Sequence, residues 1–114
     1  MKAGELDALI AEKVMGWSQE RLPHAGMAWR DLVGGLWTFP PGYSTDIAAA
    51  WEVVEILSPN FSFSLLRKTP SKTAAFFSKE AIIHNEDSPL FEAAAETAPL
   101  AICLAALKAV NALP

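Results

Sequence analysis

Apolar residues recur along this chain with two different periods, and the switches between them outline its elements. Residues 4–15 place Leu6, Leu9, Ile10 and Val14 on one stripe, with Glu5, Asp7, Glu12 and Lys13 off it. That spacing predicts an amphipathic helix and puts Asp7 and Glu12 on its surface. Gly16 stands where a left-handed C-terminal cap is expected, and Trp17 after it can pack back on the last turn. A second helical pattern covers residues 43–55 and runs on to Leu57, with Ile47, Trp51, Val54 and Leu57 on one face. Ser44 or Thr45 can cap its free N–H groups, and Asp46 then lies in the first turn, at the positive end of the helix dipole. Pro40-Pro41-Gly42 isolates this start, and Ser58-Pro59-Asn60 stops the helix. Trp51 is its expected anchor in the core.

Between these two patterns, residues 18–42 show neither period. They hold Trp29, Trp37, Phe39, three prolines and the Gly34-Gly35 pair. They are expected as a long irregular connection, with a short strand near residues 36–39. The period then changes to two. Phe61, Phe63 and Leu65 alternate with Ser62 and Ser64, a strand with one buried face. A polar turn through Pro70 follows, then a second strand over residues 73–79, pairing back as an antiparallel hairpin. Residues 81–84 read as a third short strand and residues 85–89 as the next turn. Residues 90–95 fit an edge strand or a helical turn equally well.

Thr97-Ala98-Pro99 opens the last helix, a capping hydroxyl with proline in the first turn. Leu100, Cys103, Leu104 and Leu107 form its strongest face, and alanines with Ile102 cover most of the rest. A helix apolar all round packs on more than one side. It lies centrally across the sheet, or it turns its second side, within Ala98–Ala109, to another subunit as a homo-oligomer.

Composition narrows the class. The chain has 114 residues, is 52% hydrophobic and 19% charged, and carries a net charge of −4. This describes one folded α+β domain over residues 1–114. The acidic balance argues against general nucleic-acid binding and against adsorption to anionic membranes. One cysteine excludes an intrachain disulfide framework. The opening residues run directly into amphipathic sequence without a charged-then-apolar leader, and no apolar run reaches bilayer length. A soluble protein of the host cytoplasm is expected.

Three blocks carry a resemblance. They are Leu6-Asp7-Ala8-Leu9-Ile10-Ala11-Glu12-Lys13-Val14-Met15-Gly16-Trp17, then Tyr43-Ser44-Thr45-Asp46-Ile47-Ala48-Ala49-Ala50-Trp51-Glu52-Val53-Val54-Glu55, and last Glu96-Thr97-Ala98-Pro99-Leu100-Ala101-Ile102-Cys103-Leu104-Ala105-Ala106-Leu107-Lys108-Ala109. In this order they resemble the phage ABA-sandwich family of small bacteriophage and prophage proteins. The resemblance implies an α+β sandwich, a small antiparallel sheet of three or four strands layered with helices as α/β/α, and a phage origin. It supplies no catalytic residues, and it does not cover the hairpin or residues 18–42.

No catalytic or metal constellation stands out. A structural zinc site takes four N or S ligands, and the chain has only His24, His84 and Cys103. Cys103 lies in an apolar face, where a thiol stays protonated; a nucleophilic pairing with His84 would need the fold to join them. No nucleophile elbow or phosphate loop is present. No cofactor is implied, and the chain is not expected to be an enzyme.

Binding is the remaining class. Arg67, Lys68, Lys72 and Lys79 fall in an interval free of acidic residues and suit a phosphate or an acidic partner. The helix entry at Tyr43 and Asp46 can contact a ligand, with Tyr43, Trp29 or Trp37 stacking on a flat group. The expected ligand-binding residues are therefore Tyr43, Asp46, Arg67, Lys68, Trp29 and Trp37. The expected function is a non-catalytic phage binding module that sequesters a host small molecule, such as a nucleotide signal, against host defence. The alternative is an oligomeric or host-protein interaction protein with no small ligand, and the least favoured reading is an unrecognised hydrolase.

Overall fold

Helix and strand assignments follow the two periods in part and depart from them where tertiary partners take over. The computed structural model describes residues 2–24, 26–78 and 90–112. The first helical pattern forms α1, Ala3–Leu9, which runs without a break into a π-helical segment, Ile10–Val14. The wider turn shows in the bond from Met15 N–H to Ile10 O at 2.9 Å. Gly16 ends the segment at φ +77 as expected, and Trp17 N–H returns to Ala11 O at 2.8 Å. Leu6 and Ile10 are buried. Asp7 is buried as well, against the expectation of a surface charge, because its side of the helix faces the turn at Ser44.

Residues 18–42 are more regular than their pattern predicts. They form a three-stranded antiparallel sheet of β1 (Ser18–Leu22), β2 (Gly26–Arg30) and β3 (Leu36–Trp37), in that order. The register pairs Gln19 with Trp29 and Trp29 with Trp37. Apolar alternation is missing from β1 because most of its side chains face water. The strand expected over residues 36–39 is confined to Leu36–Trp37.

The second helix, α2, is Ile47–Leu57. Its cap is Asp46, whose carboxylate accepts from Ala48 N–H at 3.1 Å; Ser44 and Thr45 lie before the cap. The buried face also differs from the expected one. Ala49, Ala50, Val53, Val54 and Leu57 are buried, while Ile47 and Trp51 are 49% and 46% exposed. Trp51 is thus not the core anchor; its ring meets Phe63 edge-on at 5.7 Å on the flank. Alanines at the helix contact let α3 approach closely, which a central tryptophan would prevent.

The hairpin forms as expected from β4, Ser62–Thr69, and β5, Lys72–Ser78, with an irregularity between Arg67 and Thr69. Residues Leu90–Ala95 form β6, the other edge of a sheet ordered β4-β5-β6. Phe63, Phe77 and Phe91 stand in one cross-strand row, with Leu65, Ala75 and Ala93 in the next. Phe61 packs edge-on against both Phe77 and Phe91. The third strand expected at residues 81–84, the turn at residues 85–89 and Lys79 lie outside the described residues.

The last helix, α3, is Ala98–Ala109, capped by Thr97 as expected. One side packs on β5 and β6, and the other takes α2 and the π segment. Its apolar perimeter is therefore occupied within the chain, in the central position. The first sheet joins this body mainly through the π segment. The molecule is elongated, 52 × 31 × 24 Å, with a radius of gyration of 15.0 Å.

Candidate functional site

Two features of the first sheet set it apart from the packed body. The first is an aromatic junction. Trp17, placed by the end of the π segment, stacks at a tilt on Trp37, with centroids 5.3 Å apart, and meets Tyr43 edge-on at 6.5 Å. Trp29, beside Trp37 in the sheet, is buried. These contacts fix the β2–β3 end of the sheet to the helices.

The second feature is the loop between β2 and β3. Asp31 is at its base, and one carboxylate holds three N–H groups. Oδ1 accepts from Val33 at 3.0 Å and Gly35 at 2.7 Å, and Oδ2 accepts from Trp37 Nε1 at 2.9 Å. Asp31 N–H donates to Gly35 O at 3.0 Å. Arg30 adds a bond from Nη1 to Gly34 O at 2.8 Å, and its Nε pairs with Glu20 at 2.6 Å. The Trp37 and Gly35 donors hold the Asp31 carboxyl below its ordinary range. The hydrogen bond from Arg30 does the same for Glu20, and Glu20 in turn raises Arg30. Gly34 takes the turn at φ +91. The loop so braced leaves apolar side chains exposed: Val33 is 93% exposed and Leu32, which lies beside Gly16, 70%; past β3, Phe39 is 77% exposed.

The predicted site residues divide between places that do not meet. Tyr43 is fully buried. Burial, with Glu52 and Asp7 nearby, pushes its phenol well above the ordinary range. Its ring offers no face to a ligand. Asp46 spends a carboxylate oxygen on its helix cap. Trp29 is buried and Trp37 is 42% exposed. Arg67 and Lys68 lie on β4 in the other sheet, where Lys68 reaches Glu92 of β6 at 2.8 Å. An exposed pair of this kind contributes at most about 1 kcal/mol. The aromatic group and the basic group therefore occupy separate surfaces.

Buried polar groups gather where α1 meets the turn before α2. Asp7 Oδ1 accepts from Ser44 N–H at 2.8 Å. Tyr43 OH and Ser44 Oγ beside it are buried without a hydrogen-bond partner. Cys103 is buried, and desolvation pushes its thiol up to about 12, which leaves it protonated and unreactive. His84 lies outside the described residues. Among the described residues no three His, Cys, Asp or Glu side chains group as metal ligands, and no helix is long and apolar enough to cross a membrane.

Sequence reasoning missed Asp31, Leu32, Val33 and Phe39. An aspartate followed by a glycine pair is a turn signal and was available in the sequence. The outward direction of Leu32 and Val33 was not, since aliphatic residues default to the core.

Helices packed with two small antiparallel sheets define a small α+β sandwich protein. The chain belongs to the phage ABA sandwich domain family, whose model matches residues 8–107. Comparisons with curated proteins and with solved structures returned no match.

Proposed function

We propose that this phage-family protein is a non-catalytic interaction protein that docks a protein partner on the loop of residues 31–39. The observation that supports this reading is the combination of exposure and bracing. Leu32 and Val33 stand exposed on a backbone that Asp31 and Arg30 hold in one shape, and Phe39 is exposed just past β3. An apolar group fixed in its bound shape loses little conformational freedom on association, so more of its burial appears as affinity. In a phage setting, occupancy of a host protein's surface, host defence proteins included, is an action that needs no chemistry.

The nucleotide version asks for a basic group and an aromatic face on one surface. Arg67 and Lys68 are on β4, and Trp29 and Trp37 are on β2 and β3. The docking reading is preferred for that reason.

The test is a photo-crosslinking amino acid at position 33, with a control at Glu55, in cells of the natural host. A discrete protein adduct from position 33 alone is expected, and the same protein should be lost from a Phe39→Glu, Val33→Glu variant. Equal adducts from both positions, or capture unaffected by the double substitution, would remove the loop from the reading.

A further inference from the structure

The second sheet ends in an open strand edge. β4 pairs with β5 on one side, and among the described residues no other segment is hydrogen-bonded along its outer side. Residues 64–69 are each exposed, so the chain leaves this length of edge uncovered. In an antiparallel pair, alternate residues turn both N–H and C=O away from the partner strand. Such an edge is a template for another extended backbone.

Folded proteins guard their edges with charge, proline or a bulge. In β4 the guards stand at one end. Lys68, the irregularity between Arg67 and Thr69, and Pro70 all lie at the turn into β5. The stretch Ser62-Phe63-Ser64-Leu65-Leu66 has no charge, no proline and a regular register. Leu65 and Leu66 are 40% and 54% exposed, and they stand on opposite faces of the strand, level with Ala75 and Ala74 of β5.

Charge selects the occupant. Arg67 shares the face of Leu65 and has no acidic partner among the described residues, whereas Lys68 is paired with Glu92. Residues 56–79 contain no acidic residue, although the chain carries a net charge of −4. A second copy laid along this edge presents another β4, with no carboxylate for Arg67. We propose that β4 accepts an extended segment of a partner protein as a fourth, antiparallel strand, with two adjacent apolar residues against Leu65 and Leu66 and an acidic residue against Arg67. The sheet is antiparallel at both of its pairings, and antiparallel addition is the more stable per residue. The added segment then reads acidic-apolar-apolar from its N-terminal side. Main-chain hydrogen bonds supply the affinity, and the side chains at the two leucines and the arginine supply the choice of segment. The loop of residues 31–39 belongs to the other sheet, so this edge is a second docking surface that does not depend on it.

The test uses the isotope-labelled full chain and three end-blocked synthetic peptides. The first is Thr-Thr-Glu-Val-Val-Thr. The second has lysine in place of glutamate. The third carries methyl groups on both valine nitrogens, one of which must face β4 in any antiparallel register. With the first peptide at millimolar concentration, amide shifts are expected along β4 from Ser64 to Arg67, with alternate amides slowed in hydrogen exchange. The methylated peptide should give neither. Arg67→Glu, at an exposed position, should weaken the first peptide about tenfold, because opposite charges across a strand pair attract and like charges repel. The same variant should bind the lysine peptide in its place. No shift along β4, equal binding of the methylated peptide, or unchanged preference in Arg67→Glu would each overturn the proposal. Protection of the β4 amides without peptide, together with a doubled mass in light scattering, would assign the edge to a second copy and overturn it too.

Discussion

The carboxylate of Asp7 accepts a hydrogen bond from the backbone N–H of Ser44 at 2.8 Å, inside the protein. The contact ties α1 to the turn that leads into α2, across 37 residues of chain. Ser44 is 2% exposed, so no water replaces the carboxylate if it is removed. Asp7→Ala should therefore leave a buried N–H unpaired and cost about 1–3 kcal/mol. Asp7→Asn keeps an acceptor of the same shape and should cost clearly less. Urea unfolding measures both, through a lower midpoint at unchanged slope. Equal stability of Asp7→Ala and wild type would mean that the contact contributes nothing.

Asp31 gives the loop a pH dependence of definite sign. Its carboxyl is held below the ordinary value of 3.8 by the Trp37 and Gly35 donors. The unfolded chain then binds the proton more readily than the folded one. The bracing contribution is complete above that ordinary value and is lost as pH falls through the lower folded one. Glu20, held below its ordinary 4.5 by Arg30, acts with the same sign. Tryptophan emission should shift only below the ordinary carboxylate value of 3.8, as Trp37 Nε1 loses its acceptor. Asp31→Asn should show no such acid limb. An identical acid limb in that variant would assign the change to other carboxylates.

Legibility followed the reach of the interactions. Gly16, Thr97 and the Phe63–Phe77 hairpin were readable because their determinants are local: a left-handed cap, a capping hydroxyl, a period of two. The α+β class and the family followed from those elements. The first sheet was not readable. Gln19, Glu20 and Arg21 of β1 mostly face solvent, so no alternation marks the strand. Asp7 was misread because its partner is a backbone N–H distant in sequence. Of the candidate site, only the turn chemistry at Asp31 was legible; that Val33 faces water depends on the fold.

Trp51 shows how a helix phase can mislead, and it supplies a comparison of two aromatics. Its face fits a 3.6-residue period, yet the helix contact runs through Ala50, Val53 and Leu57. Trp51 is 46% exposed, and Phe77 is fully buried between Phe61 and Phe63. Phe77→Ala should cost about 3–5 kcal/mol, the range for a large core aromatic. Trp51→Ala removes one edge contact with Phe63 and should cost about 1 kcal/mol. Denaturant unfolding of the two variants checks the order. A larger loss for Trp51→Ala would return it to the role of core anchor.

The basic hairpin yields a prediction that separates the two binding readings. Lys68 is drawn toward Glu92 across β5, which reduces the positive field near Arg67. The tryptophans that would stack on a base belong to the other sheet. A nucleotide that met only Arg67, Lys68 or Lys72 would be held by exposed charges screened over about 10 Å at ordinary salt. Binding that weak gives almost no stabilisation, because the gain grows only as RT ln(1 + [L]/Kd). Thermal melts with a panel of mono-, di- and cyclic nucleotides at millimolar concentration should therefore leave Tm unchanged. A rise of several degrees that disappears in Arg67→Ala would restore the small-molecule reading. It would also require an aromatic partner for the base other than Tyr43, whose ring has no exposed surface.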